Sequence, residues 1–512
     1  MISKVNSCAL MGINGYIVEV ESNLSNSIPS MDIVGLPDAA VKESKERVKA
    51  AIKNSDFSYP QKKIIVNLAP AHTKKEGAYF DLPITIAILA ASNQIQLDNI
   101  NDFMFLGELS LDGAIRSVNG ILPMVIAAKE NGIKNVVVPY DNACEAAVVK
   151  DINVFGAKTL TEAVEHLTKE NLIQKTFIDI DEFFDQTNAY TDDFCDVKGQ
   201  VAAKRAIEVA AAGGHNILMI GSPGSGKTML AKRIPSILPN ISFSEALEVT
   251  KIYSIAGKLP SDTPLIKTRP FRNPHHTLSP QAICGGGANP KPGEISLAHR
   301  GVLFLDEFPE FRKDTIDALR QPLEDGSFTI GRVAASYTFP SEVMLVASMN
   351  PCKCGYYGDN TRNCTCTPNQ IQKYLGKISG PMLDRFDIHI EVPTVKYDEL
   401  ESTKKAESSE KIRQRVNMAR KIQLERYKDK NIFSNSQLSQ SDLEIYCKLD
   451  DKSKVLLRNV FEKLGLSARA HSRIIKVART IADLAQSENI SASHIAEAIG
   501  YRSLDKKFWF TN

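Results

Sequence analysis

A glycine-rich segment near the middle of the chain has the residue types and spacing of a phosphate-binding loop, GxxxxGK[ST]. A short apolar run at 216–220 precedes it and a helical pattern follows, which is the strand, loop and helix context that the motif requires. Backbone N–H groups in such a loop surround phosphate oxygens, while Lys227 neutralises the outer phosphates and the hydroxyl of Thr228 binds Mg²⁺. The segment therefore predicts a site for a nucleoside triphosphate and Mg²⁺. Its residues are Gly221, Ser222, Pro223, Gly224, Ser225, Gly226, Lys227 and Thr228.

Two adjacent acids end a second apolar run, at 302–305, and supply chemistry that the loop lacks. The carboxylate of Asp306 can hold Mg²⁺, and that of Glu307 can orient the water that attacks the terminal phosphate. On their own, two acids after a strand could be no more than exposed charges. Beside a phosphate loop they predict hydrolysis of ATP. A further strand, at 342–348, is predicted to bring Asn350 next to the γ-phosphate.

Four of the nine cysteines form two CxC pairs inside a glycine-containing loop at 352–366. These residues are Cys352, Cys354, Cys364 and Cys366. Four thiolates can close a tetrahedral zinc site, and the glycines allow the chain to bend so that the pairs meet. Such a Zn²⁺ is structural, because four protein ligands leave no open position for a substrate. Reduced thiols without a metal, and a redox switch, are the alternatives.

The elements that position these residues are predicted to form an α/β fold of several units. The 512 residues suggest about three units at roughly 100 to 200 residues per domain. Composition and apolar patterning predict an α/β domain at 1–170, an acidic linker at 171–195 and the nucleotide-binding α/β core at 196–395. Residues 396–512 are predicted to form a helical lid and a C-terminal tail. Apolar spacing of 3.6 residues predicts helices at 411–427, 442–448, 454–464, 467–486 and 491–499.

Net charge gives no general argument for a polyanionic partner, because 62 Lys and Arg residues face 60 Asp and Glu residues. Residues 401–512 are more basic, with 22 basic and 14 acidic side chains. The longest apolar stretch, at 82–91, is about half of the roughly 20 residues that a membrane-spanning helix needs. The N-terminus also lacks the apolar region and cleavage site of a signal peptide. A cytoplasmic protein without a membrane partner is therefore predicted.

Several blocks of sequence carry a resemblance to a known family. They are the phosphate loop, the segment 269–277, the stretch 293–307 that ends in the two acids, and the segment 380–387. Together they resemble the ComM/YifB family of magnesium-chelatase-related AAA+ ATPases, over essentially the whole chain. The resemblance implies a central AAA+ P-loop NTPase domain with insertions, followed by the helical lid.

The same resemblance implies roles for three further residues. Asn350 would act as sensor 1, Arg385 as an arginine finger that reaches a neighbouring subunit, and Arg469 as sensor 2 in the lid. A guanidinium aimed at the transferred phosphoryl group stabilises the charge of the transition state. An arginine finger acting between subunits implies a homo-oligomeric ring, hexameric in this family. The alternative for Arg385 is a surface ion pair with Asp384 or Asp387.

The N-terminal domain resembles the Lon-protease-like fold, through the segments 77–83, 105–109 and 132–139. A protease of that type uses a serine nucleophile and a lysine that accepts its proton. Tyr79 or Phe80 occupies the position at which the family has its nucleophile, and residues 120–124 contain no lysine. The domain is therefore predicted to be a non-proteolytic module that binds a partner or organises the ring.

The family resemblance implies a DNA-translocating motor that performs branch migration on branched or single-stranded DNA during natural transformation. Local support comes from the basic C-terminal region, from the cysteine-rich loop, and from Arg332 near the tip of a predicted hairpin at 327–340. The alternative is a chelatase-type ATPase that remodels a protein partner. An ATP-dependent protease is disfavoured because the dyad is missing. His275 and His276 are interpreted as loop-packing or oligomer contacts rather than metal ligands.

Overall fold

The structure is a computed structural model of the chain. It describes residues 2–96, 100–185, 190–260, 263–287, 290–331, 336–359, 362–395, 397–401, 406–430, 432–464, 467–504 and 508–509. The chain divides into two compact units. Unit 1 comprises Met1–Thr187, Phe243–Lys267 and Thr329–Phe339. Unit 2 comprises Asn188–Ser242, Thr268–Phe328 and Pro340–Asn512.

This division differs from the boundaries predicted from the sequence. Two segments of the predicted nucleotide-binding core, Phe243–Lys267 and Thr329–Phe339, pack in unit 1. The C-terminal helices share one hydrophobic core with the nucleotide-binding sheet, so they belong to unit 2 instead of forming a third unit. Local apolar patterns predict helices and strands, but they do not record which distant surface each element covers.

The described part of unit 1 contains an eight-stranded mixed sheet. Its long central strands, Ile2–Met11 and Asn14–Ser25, pair antiparallel through a tight turn. Gly12 lies in that turn with φ of +64°, a conformation that glycine adopts without strain. Across the sheet the order is Lys175–Thr176, Asn153–Ala157, Asn135–Pro139, Phe103–Phe105, Ile2–Met11, Asn14–Ser25, Lys63–Ala69 and Ser30–Val34.

Helices cover this sheet, and one of them comes from a distant part of the sequence. The helix Phe243–Ile255 packs against the helix Ile121–Glu130. At this contact Ser254 donates a hydrogen bond to the buried carboxyl of Glu145, which also accepts one from the backbone N–H of Leu122. The helices of unit 1 are Ala39–Asn54, Asp81–Ala91, Ile121–Glu130, Ala143–Ala146, Leu160–Thr168, Ile180–Asp185 and Phe243–Ile255.

The described part of unit 2 is built on a five-stranded parallel sheet. Across the sheet the strands are Phe271–Arg272, Val302–Leu305, Met344–Met349, Ile217–Ile220 and Ile388–Glu391. The central strands are fully buried. In an open parallel sheet, ligands bind beyond the carboxyl ends of the strands. The phosphate loop, Asp306 and Asn350 each follow such an end, so the topology places them at one edge.

Helices lie on both sides of this sheet. Those of the nucleotide-binding part are Val201–Gly213, Lys227–Arg233, Pro280–Cys284, Glu294–Leu297, Lys313–Ala318, Arg320–Asp325, Pro368–Leu375, Gly380–Leu383 and Tyr397–Glu401. The C-terminal helices are Ser409–Arg426, Gln440–Tyr446, Asp451–Leu464, Ala468–Leu484 and Ala492–Gly500. The five helices predicted there from 3.6-residue spacing are confirmed. Throughout the described ranges, no helix combines the length and the apolar character needed to cross a bilayer.

Short two-stranded ribbons complete the fold. The predicted hairpin at 327–340 is confirmed as the ribbon Ser327–Gly331 with Ser336–Pro340. Arg332, predicted to lie near its tip, falls outside the described residues. The other ribbons are Glu108–Leu109 with Ile115–Arg116, and Gly285–Gly286 with Lys291–Pro292.

Candidate nucleotide site

The phosphate loop joins the buried strand Ile217–Ile220 to the helix Lys227–Arg233. Gly224 and Gly226 have φ of +79° and +90°, values that favour glycine and let the backbone curl before the helix begins. Gly221 is needed for a different reason. A Cβ atom there would lie 2.3 Å from the carbonyl oxygen of Val392, so the strand end has no room for a side chain.

The ammonium group of Lys227 lies between carbonyl oxygens of this loop and the side chain of Asn350. Its Nζ donates to the carbonyl oxygens of Gly221 at 2.7 Å and Ser222 at 3.0 Å, and to Oδ1 of Asn350 at 3.2 Å. The residue is only 9% exposed. Burial lowers the pKa of Lys227 to about 8, against the opposing effect of Asp306 and Glu307. The ammonium is therefore held among carbonyl oxygens at the place where phosphate oxygens would bind.

Thr228 and Asp306 meet at the base of the loop. The Thr228 hydroxyl donates to Oδ2 of Asp306 at 2.8 Å, while the hydroxyl of Ser348 donates to the other carboxylate oxygen. One hydroxyl and one carboxylate within hydrogen-bond distance form the hard oxygen donor set that Mg²⁺ prefers beside nucleotide phosphates. The residues present therefore fit Mg²⁺. Ser348 was not among the residues predicted from the sequence, although its place near the end of the strand Met344–Met349 was a signal.

Glu307 leaves this cluster and faces outward. Its backbone adopts φ of +52°, and its side chain is 61% exposed. The closest ionisable partner described is His276, whose Nδ1 lies 3.8 Å from the carboxylate. The His276 ring in turn lies against that of His275, with ring centroids 4.1 Å apart. A carboxylate held beside the loop and open to solvent can accept a proton from water.

The predicted arginines have partners outside the phosphate loop. Arg385 pairs with Glu324 rather than with Asp384 or Asp387. Arg469 is 60% exposed on its side chain, and its guanidinium lies 3.7 Å from Asp384.

Arg473, on the same helix as Arg469, is the more buried of the two arginines. Arg473 contacts Asp384 at 3.5 Å and Asp387 at 3.2 Å. Burial lowers the pKa of both Arg473 and Lys476, against the effect of Asp387. Of the three basic residues Arg469, Arg473 and Lys476, which share one face of this helix, the last two are therefore directed inward.

Gln200 holds the phosphate loop through a hydrogen bond to the loop backbone. This contact was not predicted from the sequence. The amide of Gln200 donates to the carbonyl oxygens of Ser225 and Pro393, and the φ of Gln200 is +53°. On either side of it, Gly199 and Val201 line a pocket of about 540 Å³. This volume lies within the range of ligand sites. The remaining lining residues are Lys198, Lys204, Arg205, Glu208, Glu399, Ala406, Glu407 and Ile412.

The four predicted zinc ligands come together in unit 2. The sulfur of Cys352 lies 3.3 Å from that of Cys354 and 3.6 Å from that of Cys364, and the last two are 3.5 Å apart. Including Cys366, all four sulfurs lie within 4.8 Å of one another. All four are free cysteines. Zinc–sulfur distances of about 2.3 Å in a tetrahedron separate the sulfurs by about 3.8 Å, so the cluster has the dimensions of such a site.

In unit 1, the position expected for a protease nucleophile holds buried aromatic side chains. Tyr79 and Phe80 are 8% and 0% exposed, and burial raises the pKa of Tyr79 well above its usual value. Lys75 is also buried, and its Nζ donates to the carbonyl oxygens of Thr73, at 2.9 Å, and Pro70. Its ammonium is thus engaged by the backbone of its own loop.

Comparisons with known proteins identify the family of the chain. Three family models match: "Magnesium chelatase, subunit ChlI" over residues 193–400, "Subunit ChlI of Mg-chelatase" over 20–142, and "Magnesium chelatase, subunit ChlI C-terminal" over 406–502. The chain is 45% identical to "Competence protein ComM" of Haemophilus influenzae, across 98% of this chain and 97% of that protein. It is 42% identical to "Uncharacterized protein YifB" of Escherichia coli, across 99% and 98%. A weaker similarity, 25% over 32% of each chain, links it to "Lon protease 2" of Bacillus subtilis.

Proposed function

The chain belongs to the ComM/YifB family of magnesium-chelatase-related AAA+ proteins, and we propose that it is an ATP-hydrolysing motor that moves DNA. Its activity is that of a hexameric branch-migration helicase or translocase, acting in recombination during natural transformation. The observation that carries the proposal is one cluster, in which Lys227 touches Asn350 and Thr228 touches Asp306 around a phosphate loop. This cluster occurs in a chain that resembles a competence protein along nearly its full length.

The chemistry of the proposed site follows from its contacts. Lys227 exchanges its carbonyl partners for the outer phosphates, and Asn350 keeps its ammonium aligned. Thr228 and Asp306 are the residues that hold Mg²⁺, which neutralises phosphate charge when it is bound. Glu307 orients water and accepts its proton as the water attacks the γ-phosphate. The base and ribose occupy the pocket beside Gln200, which connects that pocket to the loop through Ser225.

Arg385 completes the site of a neighbouring subunit in a ring. Its ion pair with Glu324 is partly open to solvent, because the Glu324 side chain is 58% exposed. A neighbouring nucleotide with several negative charges can compete for such a guanidinium. Arg469 acts as sensor 2 in the helical lid, where its side chain is 60% exposed and would exchange its 3.7 Å contact with Asp384 for bound nucleotide. Zn²⁺ is assigned to the four-cysteine cluster as a structural metal.

The DNA partner rests on the competence relative more than on surface charge. Many basic residues of the C-terminal region are paired within the chain, such as Arg415 with Glu208 and Glu407, and Arg426 with Asp483. Residues 401–512 therefore offer less unpaired positive charge than their 22 basic and 14 acidic side chains suggest. The family models carry the name of a chelatase subunit, which favours the alternative function, remodelling of a protein partner.

One experiment separates these functions. The ATPase rate of the full-length protein is measured alone, with forked DNA, with four-way DNA, and with duplex DNA of equal length. A DNA motor is expected to respond to branched DNA and to lose that response as salt rises, because phosphate contacts release counterions. Lys227→Ala and Glu307→Gln serve as blanks. A turnover that no DNA changes at low salt would favour the protein-remodelling alternative.

A further inference from the structure

The cysteine cluster is attached to the nucleotide site through the chain itself. Asn350, which accepts the hydrogen bond from Lys227, stands two residues before Cys352. The strand Met344–Met349 fixes the chain on the other side of Asn350. A metal that holds the Cys352 sulfur therefore fixes both ends of the short segment that carries this amide.

Two contacts join the loop between the CxC pairs to the phosphate loop directly. Gly355 has φ of +89°, and a Cβ atom at that position would lie 2.5 Å from Cδ of Pro223. The carboxylate of Asp359 accepts a hydrogen bond from the hydroxyl of Ser222. Residues 222 and 223 are thus packed against a loop whose ends are the four cysteines.

Beyond these two contacts, this loop is held by side-chain packing, since Tyr357 lies against the core of unit 2 and against the ring of Phe508. Residues 352–359 and 362–366, the described part of the loop, contain no helix or strand. Backbone hydrogen bonds within it are local, such as that from the N–H of Gly355 to the carbonyl oxygen of Cys352. Ordering a residue costs roughly 1 to 2 kcal/mol of conformational entropy, so an irregular loop needs a cross-link to remain in one conformation. A metal bound by four side chains supplies that cross-link and couples its binding energy to the loop conformation.

We propose that Zn²⁺ at Cys352, Cys354, Cys364 and Cys366 holds the phosphate loop and Asn350 in the conformation that binds ATP, so that zinc occupancy controls nucleotide affinity. This inference rests on the proposed ATP-binding function. It goes beyond a structural zinc, because it predicts that the metal acts on a different ligand through Asp359 and Gly355. The site accepts a soft, tetrahedral divalent cation and offers no open position for catalysis.

The test uses the full-length protein and a fluorescent ATP analogue, with Mg²⁺ in excess throughout. Zinc is first counted per chain by elemental analysis, with one zinc per chain expected. Affinity is then compared for the protein as purified, after removal of zinc by a zinc-selective chelator, and after return of one equivalent of Zn²⁺. We expect Kd for the analogue to rise roughly tenfold on removal and to recover on return, as for the loss of one charge-assisted hydrogen bond.

Variants separate the coupling from unfolding. Asp359→Ala is expected to keep zinc and yet weaken the analogue severalfold, whereas Asp359→Asn, which retains an acceptor for Ser222, should recover most of the affinity. Cys144→Ser, at an exposed cysteine of unit 1, is the matched control and should change neither zinc content nor Kd.

A chain without zinc, or an unchanged Kd after zinc removal from a protein that keeps its circular dichroism spectrum, would overturn the inference. Failure of DNA to stimulate the ATPase would instead contradict the proposed motor function and leave this coupling standing.

Discussion

Arg385 and Glu324 form an ion pair within one chain, although Arg385 is the residue predicted to reach a neighbouring subunit. The pair keeps the guanidinium on its own protomer, so in the proposed ring Arg385 would exchange Glu324 for a neighbour's nucleotide. Arg385→Ala is expected to bind ATP normally but to hydrolyse it at least about 10³-fold more slowly, as for other arginine fingers.

Mixing of inactive variants tests whether Arg385 acts between subunits. Arg385→Ala retains a complete phosphate loop, and Lys227→Ala retains the arginine. Rings that contain both variants should recover part of the ATPase rate, because some interfaces then combine an intact loop with an intact finger. Mixtures that stay inactive although copurification of differently tagged variants shows mixed rings would contradict a role between subunits.

The pH dependence of ATP binding should report the ammonium of Lys227. Burial lowers its pKa to about 8 in the nucleotide-free protein, and bound phosphates favour the charged form, so they raise the pKa again. Phosphate groups have lost their last proton well below pH 8, since their second pKa is about 6. Affinity should therefore be highest near pH 7, where the phosphates are ionised and Lys227 is protonated, and decline above pH 8. Calorimetry at pH 8.5 in two buffers of different ionisation enthalpy should detect proton uptake, and its absence would refute the assignment.

Glu307 is expected to control hydrolysis without controlling binding. Glu307→Gln removes the proton acceptor but keeps the size of the side chain, so the ATPase rate should fall about 10²- to 10⁴-fold at unchanged nucleotide affinity. Glu310→Gln, at an exposed acid three residues further on that pairs with Lys377, is the matched control. Equal effects of the two substitutions would remove the special role of Glu307.

Two glycines of the phosphate loop should respond differently to alanine. A Cβ atom at Gly221 would lie 2.3 Å from the Val392 carbonyl oxygen, whereas at Gly224 it would meet nothing within 4 Å. Gly221→Ala should therefore destabilise unit 2 by about 3 kcal/mol, the upper part of the usual range for overpacking, because its Cβ would meet backbone atoms. Gly224→Ala should cost about 1 kcal/mol, because its φ is +79°. Thermal unfolding of both variants compares the two, and an equal loss would contradict the packing argument.

The sequence predicted the parts of the site whose chemistry is carried by adjacent residues. The loop at 221–228, the acids at 306 and 307 and the two CxC pairs each have a characteristic local spacing. The structure brings Thr228 to Asp306 and gathers the four cysteine sulfurs. The C-terminal helices were equally accessible, because helix periodicity repeats along a continuous segment.

Contacts between distant residues escaped the sequence analysis. Gln200 and Asp359 each form one hydrogen bond with the phosphate loop, and neither belongs to a sequence motif that predicts this contact. The alternative for Arg385 was an ion pair with a sequence neighbour, Asp384 or Asp387, and its ion-pair partner is instead Glu324, 61 residues away. The packing of the helix Phe243–Ile255 in unit 1 was not predicted for the same reason. Its apolar residues indicate that the helix is buried, but they do not indicate which surface covers it.

The path of the chain sets an order in which the molecule can be made. A ribosome releases residues 1–187 long before the helix Phe243–Ile255, and later still the strand Ser336–Pro340, so the first unit waits for pieces encoded downstream. At about 5 to 20 residues per second, synthesis from 187 to 339 takes roughly 8 to 30 seconds. During that interval the helix Ile121–Glu130 and the carboxyl of Glu145 lack the cover that the helix Phe243–Ile255 and Ser254 later provide.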